Sequence, residues 1–173
     1  ATLGEGEARH IGKVLRMSAG DEIVLCDGKA TDYFCTITEI TKTYVKCCVQ
    51  KSEPSSSEPP CLVTLYQAVP KGEKIEYIIQ KCTELGMGAI VPVQTERVQG
   101  SPNIRRDRLM KISLSAAEQS GRGIVPEVSE KISFLDAIEK MKESDIALIP
   151  YEDESSVMLR DVLRGKTPKS ISI

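Results

Sequence analysis

The 173-residue sequence contains no tryptophan, two phenylalanines and a single histidine, His10. With one imidazole and no Cys-x-x-Cys pair among its six cysteines, a zinc site is not expected. No apolar run approaches the ~18 residues that a membrane-spanning helix needs. The first ten residues, ATLGEGEARH, are charged and hold no apolar stretch, so they do not read as a secretory leader. The expectation is a cytoplasmic protein with reduced thiols, several of them at strand or helix core positions. Also missing are the Gly-x-Gly-x-x-Gly turn of dinucleotide sites, the Walker phosphate loop, His-Glu-x-x-His and Gly-x-Ser-x-Gly. A formal net charge of −2 does not announce a polyanion as partner. The acidic run Glu152, Asp153, Glu154 reads as a solvated loop rather than a metal site.

What is present is a change of pattern halfway along the chain. A short helix over residues 5–16, with Ala8, Ile11, Val14 and Leu15 turned inward, precedes strands at 22–26, 32–40 and 43–50. This is the pattern of a small β-barrel-like domain. The segment KSEPSSSEPP, residues 51–60, is rich in serine and proline and has no periodicity. We therefore expect a small domain over 1–53, a linker over 54–60 and a larger domain over 61–173. In the larger domain strands and helices alternate: strand 61–69, helix 71–85, strand 89–94 and helix 105–120, followed by an extended piece at 125–129. A helix over 134–143 capped by Ser133, a strand at 145–149 and a helix at 157–164 come next. Alternation of this kind predicts an α/β domain with a mostly parallel sheet. The sequence has no initiator methionine and stops inside a strand that opens near Ser170, as expected of a chain that continues.

The stretch KGEKIEYIIQKCTELG, residues 71–86, organises this second half. Ile75, Ile78, Ile79, Cys82 and Leu85 make an apolar face, and Gly86 stops the helix. Lys74, Tyr77, Lys81 and Glu84 make a second, polar stripe, which a solvated ion pair between Lys81 and Glu84 would explain. On the helix over 105–120, Leu109, Ile112, Ala116 and Ser120 face inward. Arg108, Lys111, Ser115 and Gln119 share another face, with Arg122 just beyond. Arg9, Lys13 and Arg16 form a third basic face. Each face alone reads as ordinary surface. Together they permit contacts to phosphates and base edges. Between residues 97 and 122 six basic side chains stand against Asp107 and Glu118, while 127–161 holds ten acidic and four basic residues. Thr95, Glu96 and Arg97 follow a buried strand directly, where ligands of open α/β sheets bind.

Four blocks, RHIGKVLRMSAGDEIVLCDG, KGEKIEYIIQKCTELG, VPVQTER and ISLSAAEQSGRGIVPEV, resemble in order and spacing the RsmE-type 16S ribosomal RNA uridine-N3 methyltransferases. The sequence YEDE, at residues 151–154, falls where that family has a Tyr-Glu after an inner strand. The resemblance implies an N-terminal PUA-like barrel that grips RNA and a SPOUT-type α/β domain with a trefoil knot. It further implies a homodimer, S-adenosylmethionine as cofactor and 16S rRNA of the small ribosomal subunit as substrate. Arg9, His10, Arg16, Lys81, Glu84, Glu96, Arg97, Gln119 and Arg122 match the family's polar positions and are expected to face RNA or shape the site. Pro150, Tyr151 and Glu152 are expected to form one wall of the cofactor pocket. The family's Gly-Pro-Glu-Gly-Gly loop and its later Leu-Arg-Thr-Glu-Thr segment, with the knot they close, are not among these residues, and no catalytic residue is assigned. On the resemblance the 173-residue chain alone is expected to be inactive. A non-catalytic RNA-binding or ribosome-assembly protein of the same architecture, and an α/β enzyme for a small molecule, are the alternatives.

Overall fold

The computed structural model describes residues 1–72, 74–96 and 105–173. Arg97, one of the expected site residues, lies outside them. The chain divides into two units, Ala1–Ser56 and Ser57–Ile173.

In the first unit, strands β1 (Thr2–Leu3), β2 (Glu22–Cys26), β3 (Thr31–Ile40) and β4 (Val45–Pro54) form one antiparallel sheet in the order β1-β4-β3-β2. Alternation along β3 and β4 turns Cys35, Ile37, Val45 and Cys47 to one face. Ala8 and Ile11 close the core. Burial pushes the Cys35 and Cys47 thiols up, which keeps them protonated and inert. Cys26 and Cys48, by contrast, are exposed.

Two sequence expectations change here. The helix over 5–16 is a short α1 (Glu5–Arg9) that widens into a π-turn at His10–Val14, with the Leu15 N–H bonded to the His10 carbonyl at 3.0 Å. The wider turn swings Val14 and Leu15 outward, where they are exposed. It also ends the common face of Arg9, Lys13 and Arg16, and Arg16 leaves with φ +56°. The second change is in the segment over 51–60. Strand β4 continues to Pro54, which sits opposite Thr31, so the first four residues of that segment belong to the sheet.

In the second unit the alternation is as expected. Strand β5 (Leu62–Ala68), helix α2 (Lys74–Glu84), strand β6 (Ala89–Gln94) and helix α3 (Arg106–Ser120) follow one another. Two short strands, β7 (Glu127–Val128) and β8 (Ile132–Ser133), both pair with β6, one at each end of it. Helix α4 (Phe134–Met141), strand β9 (Ile146–Ala147), helix α5 (Leu159–Leu163) and strand β10 (Ser170–Ser172) complete the unit. The sheet is parallel throughout, in the order β7-β6-β5-β10-β9. Ser133 caps α4 as expected, its hydroxyl accepting from the Asp136 N–H at 3.1 Å.

The core of this unit is Ile75, Ile79, Ile90, Leu109 and Val128. The inward stripe of α2 runs Ile75, Ile79, Thr83 at four-residue spacing. Leu85 lies past the last turn and is exposed, and Thr83 takes the buried position expected of an apolar residue. Helix α3 likewise buries Ser113 and Ala117 beside Leu109 and Ala116; Ile112 packs against the core as expected, partly buried, while Ser120 is exposed. The Ser113 hydroxyl donates to the Pro126 carbonyl at 2.8 Å and lies 3.5 Å from the Thr83 hydroxyl, so two small polar side chains let α2 and α3 pack closely.

Candidate functional site

The chain order of the second unit reverses at one place. From β5 it steps outward to β6 and β7, then crosses to the other side and returns through β9 to β10, which lies beside β5. Such a switch point leaves a crevice beyond the carboxyl ends of the strands. A cavity of about 110 Å³ occurs there, lined among others by Ala68, Val93, Thr95, Ile149, Pro150 and Ile173. Its walls are mostly apolar; Thr95 and Tyr66 are the lining residues that carry hydroxyl groups, and that of Tyr66 interacts with Ser172. Phe134, Ala137 and Met141 of α4 close one side.

Of the three residues expected at a cofactor wall, Pro150 lines this crevice. Tyr151 and Glu152 are exposed outside its lining, and the Tyr151 hydroxyl donates to Asp153 at 2.9 Å. Glu96 is exposed just past Thr95, at the same end of the sheet.

Lys81, Glu84, Gln119 and Arg122 sit at the other end. Helices α2 and α3 both return from strand carboxyl ends to strand amino ends, so their last turns lie at the amino edge of the sheet. Between them is an open cleft of about 380 Å³, lined by Gln80, Lys81, Glu84, Gln119 and Ser120. The Lys81 ammonium donates to both Glu84 oxygens, at 3.0 and 2.7 Å, and Gln80 donates to the same carboxylate at 3.1 Å. The Lys81 hydrogen bonds hold the Glu84 carboxyl below its usual range, and Glu84 in turn raises Lys81. The pair stays ionised through neutral pH and cancels its own charge.

Arg122 is expected to face RNA or shape the site; its side chain is 4% exposed and fully engaged, which takes it off any RNA-facing surface. Nε and Nη2 donate to the two Glu58 oxygens at 3.1 and 2.5 Å, and Nη1 donates to the carbonyls of Thr83 and Met87, each at 2.9 Å. A guanidinium fork matched to a carboxylate and two carbonyls is a structural fastening. It shapes the cleft from behind by tying the ends of α2 and α3 together. Glu58 and Ser57 were read as linker. In the structure Glu58 also accepts from the Ile124 N–H at 2.9 Å, and the Ser57 hydroxyl accepts from Gly123 N–H at 3.0 Å. Nothing in the periodicity of a Ser/Pro-rich stretch signals such a role.

In the first unit Arg9, His10 and Arg16 are exposed around the π-turn. The π-turn and the left-handed Arg16 are departures from regular geometry of the kind that accompanies binding surfaces. Among the described residues no group of three His, Cys, Asp or Glu side chains could hold a metal ion, and no helix is long and apolar enough to cross a membrane.

Comparison with known proteins matches residues 57–173 to an RNA methyltransferase domain and residues 3–49 to an RNA methyltransferase PUA domain. The chain is similar to the ribosomal RNA small subunit methyltransferase E of Bacillus subtilis, 36% identical over 86% of this chain and 60% of that protein. It is 30% identical to the Aquifex aeolicus protein of the same name, over 99% of this chain and 70% of the relative. It also resembles a crystal structure of a ribosomal RNA small subunit methyltransferase E from Neisseria gonorrhoeae bound to S-adenosyl methionine. There the TM-score is 0.81 and the identity 30%, over 99% of this chain and 71% of that one. The chain thus spans 60% of the Bacillus relative and 54% of a Synechocystis one.

Proposed function

Because the chain belongs to the ribosomal RNA small subunit methyltransferase E family, with a PUA unit before a SPOUT-type unit, we propose that it belongs to an enzyme methylating N3 of a uridine in 16S rRNA. The observation that carries this reading is the apolar crevice at the switch point between β5 and β10. S-adenosylmethionine, when bound, supplies an electrophilic methyl group on a sulfonium sulfur. The crevice suits part of such a molecule: apolar walls for a ring, and Thr95 beside them for a polar atom. Ligand pockets generally enclose ~300–1,000 Å³. A cavity of about 110 Å³ therefore takes one portion of the cofactor, against the apolar side chains of Pro150, Ile149 and Ile173.

The chemistry sets the remaining demands. The uridine N3–H must lose its proton before nitrogen can attack, so a positioned cation or amide donor has to stabilise the ring anion as it forms. N3 lies on the pairing edge, so the base must be unpaired or turned out of its helix. A PUA unit carrying exposed Arg9, His10 and Arg16 supplies grip on the flanking RNA, in a homodimer acting on the small subunit in the cytoplasm. The test is incubation of full-length protein with S-adenosylmethionine and small ribosomal subunits lacking the modification, followed by nucleoside mass spectrometry. One 3-methyluridine per subunit is the expected product. Methyl transfer to another atom would replace this assignment, and cofactor and RNA binding without transfer would favour a ribosome-assembly role.

A further inference from the structure

The cleft between the last turns of α2 and α3 is at the far end of the sheet from the apolar crevice, and the methyl-transfer reading gives it no task. Seven residues of β5 at about 3.3 Å each put roughly 20 Å between the two. The cleft has three properties of a hydrogen-bonding site. It encloses about 380 Å³, within the range of ligand pockets. Its one cation is already spent, since Lys81 is bonded to both oxygens of Glu84. The exposed side-chain amide of Gln119, by contrast, has no hydrogen-bond partner among the described residues. Beside it Arg122 ties the α3 end to the Thr83 and Met87 carbonyls. One turn along α2 the ring of Tyr77 is exposed, with the Lys81 ammonium 5.9 Å from its centroid. Charge cancelled and a donor–acceptor amide held open is wrong for a phosphate and right for the edge of a base.

We propose that the α2–α3 cleft holds an unpaired base of the substrate RNA, several nucleotides from the one modified, with the Gln119 amide reading its edge. This rests on the RNA-substrate reading above. The test is fluorescence titration of a labelled single-stranded fragment of small-subunit rRNA with full-length protein at several salt concentrations. Gln119→Ala is expected to weaken binding about tenfold, the size of one base-edge contact. The slope of log affinity against log salt stays unchanged, because no phosphate contact is lost. An abasic nucleotide at one position weakens the wild type by the same factor and leaves the variant unaffected. Gln119 is exposed, so the variant folds, and cofactor binding at the other end of the sheet is its internal control. Wild-type affinity in Gln119→Ala overturns the proposal, and so does a loss accompanied by a slope lower by about one, which marks a phosphate contact. Failure of the wild type to bind any rRNA fragment overturns the RNA-substrate reading itself, and this inference with it.

Discussion

Arg122 and Glu58, 64 residues apart in sequence, form a buried two-pronged ion pair, and the third corner of the guanidinium holds the carbonyls of Thr83 and Met87. One side chain thereby fastens the start of the second unit, the turn after α2 and the turn after α3. Removing it leaves a buried carboxylate and two carbonyls without their donor. Breaking such a pair from one side costs about 3–5 kcal/mol. Arg122→Ala is expected to lower the unfolding free energy by that amount, seen as a lower urea midpoint at an unchanged m-value, and methyl transfer falls with it. Arg122→Lys recovers part of the loss, because an ammonium lacks the planar fork. An unchanged midpoint for the alanine variant would show that the fastening contributes nothing.

The same pair sets an acid limit. Burial pushes the Glu58 carboxyl up, but the Arg122 hydrogen bonds, the Ile124 N–H and the Arg122 charge together outweigh it, so its pKa lies below the usual 4.5. A carboxyl whose pKa is depressed on folding contributes stability that is complete above the unfolded value and fades as pH falls through the folded one. Thermal midpoints are therefore expected to hold above about pH 5 and drop below about 4.5. In Glu58→Gln, which cannot titrate, the step shrinks. A wild-type profile matching that of the variant would remove Glu58 as its source.

Gly86 meets two constraints at once. Its φ is +95°, and a Cβ there would lie 2.8 Å from Cγ of Pro59, the residue after Glu58. Gly121 has φ +67° with nothing within 4 Å. Gly121→Ala thus reports the backbone conformation alone, and Gly86→Ala adds a clash with a ring pinned beside the ion pair. The expected cost exceeds about 1 kcal/mol at Gly86 and is smaller at Gly121. Equal losses by chemical denaturation would mean that Pro59 moves away freely.

Periodicity made the βαβ half legible, because α2 and α3 carry apolar residues at helical spacing and their flanking strands are continuous apolar runs. It misplaced Leu85 and overlooked Thr83 and Ser113, since a hydroxyl satisfied inside a close helix contact leaves no hydrophobic signal. The π-turn at His10–Val14 changed the facing of Val14 and Leu15, which a 3.6-residue repeat cannot express. The polar positions named by family resemblance were real surface features in the case of Lys81, Glu84 and Gln119, but not for Arg122. Its role depends on Glu58, a partner in a stretch with no pattern to read. Nor could the sequence show that these positions and the apolar crevice lie at opposite ends of one sheet, because that separation follows from strand order.

The apolar crevice yields the sharpest functional test. Ala68 ends β5 and lines the cavity opposite Ile149, Pro150 and Ile173. It is itself exposed, so Ala68→Phe has open space to enter and leaves the buried core of Ile79, Ile90 and Val128 untouched. The added ring occupies space that the cofactor reading reserves for a ligand. Forcing a ligand and a side chain to share a packed site costs about 1–3 kcal/mol, or tenfold and more in affinity. Full-length Ala68→Phe is therefore expected to keep its thermal midpoint while calorimetry shows S-adenosylhomocysteine binding weakened at least about tenfold. Gln119→Ala, at the opposite end of the strands, binds the same ligand as the wild type does. If Ala68→Phe bound it equally well, the cofactor would lie elsewhere, and the switch point between β5 and β10 would lose its assignment.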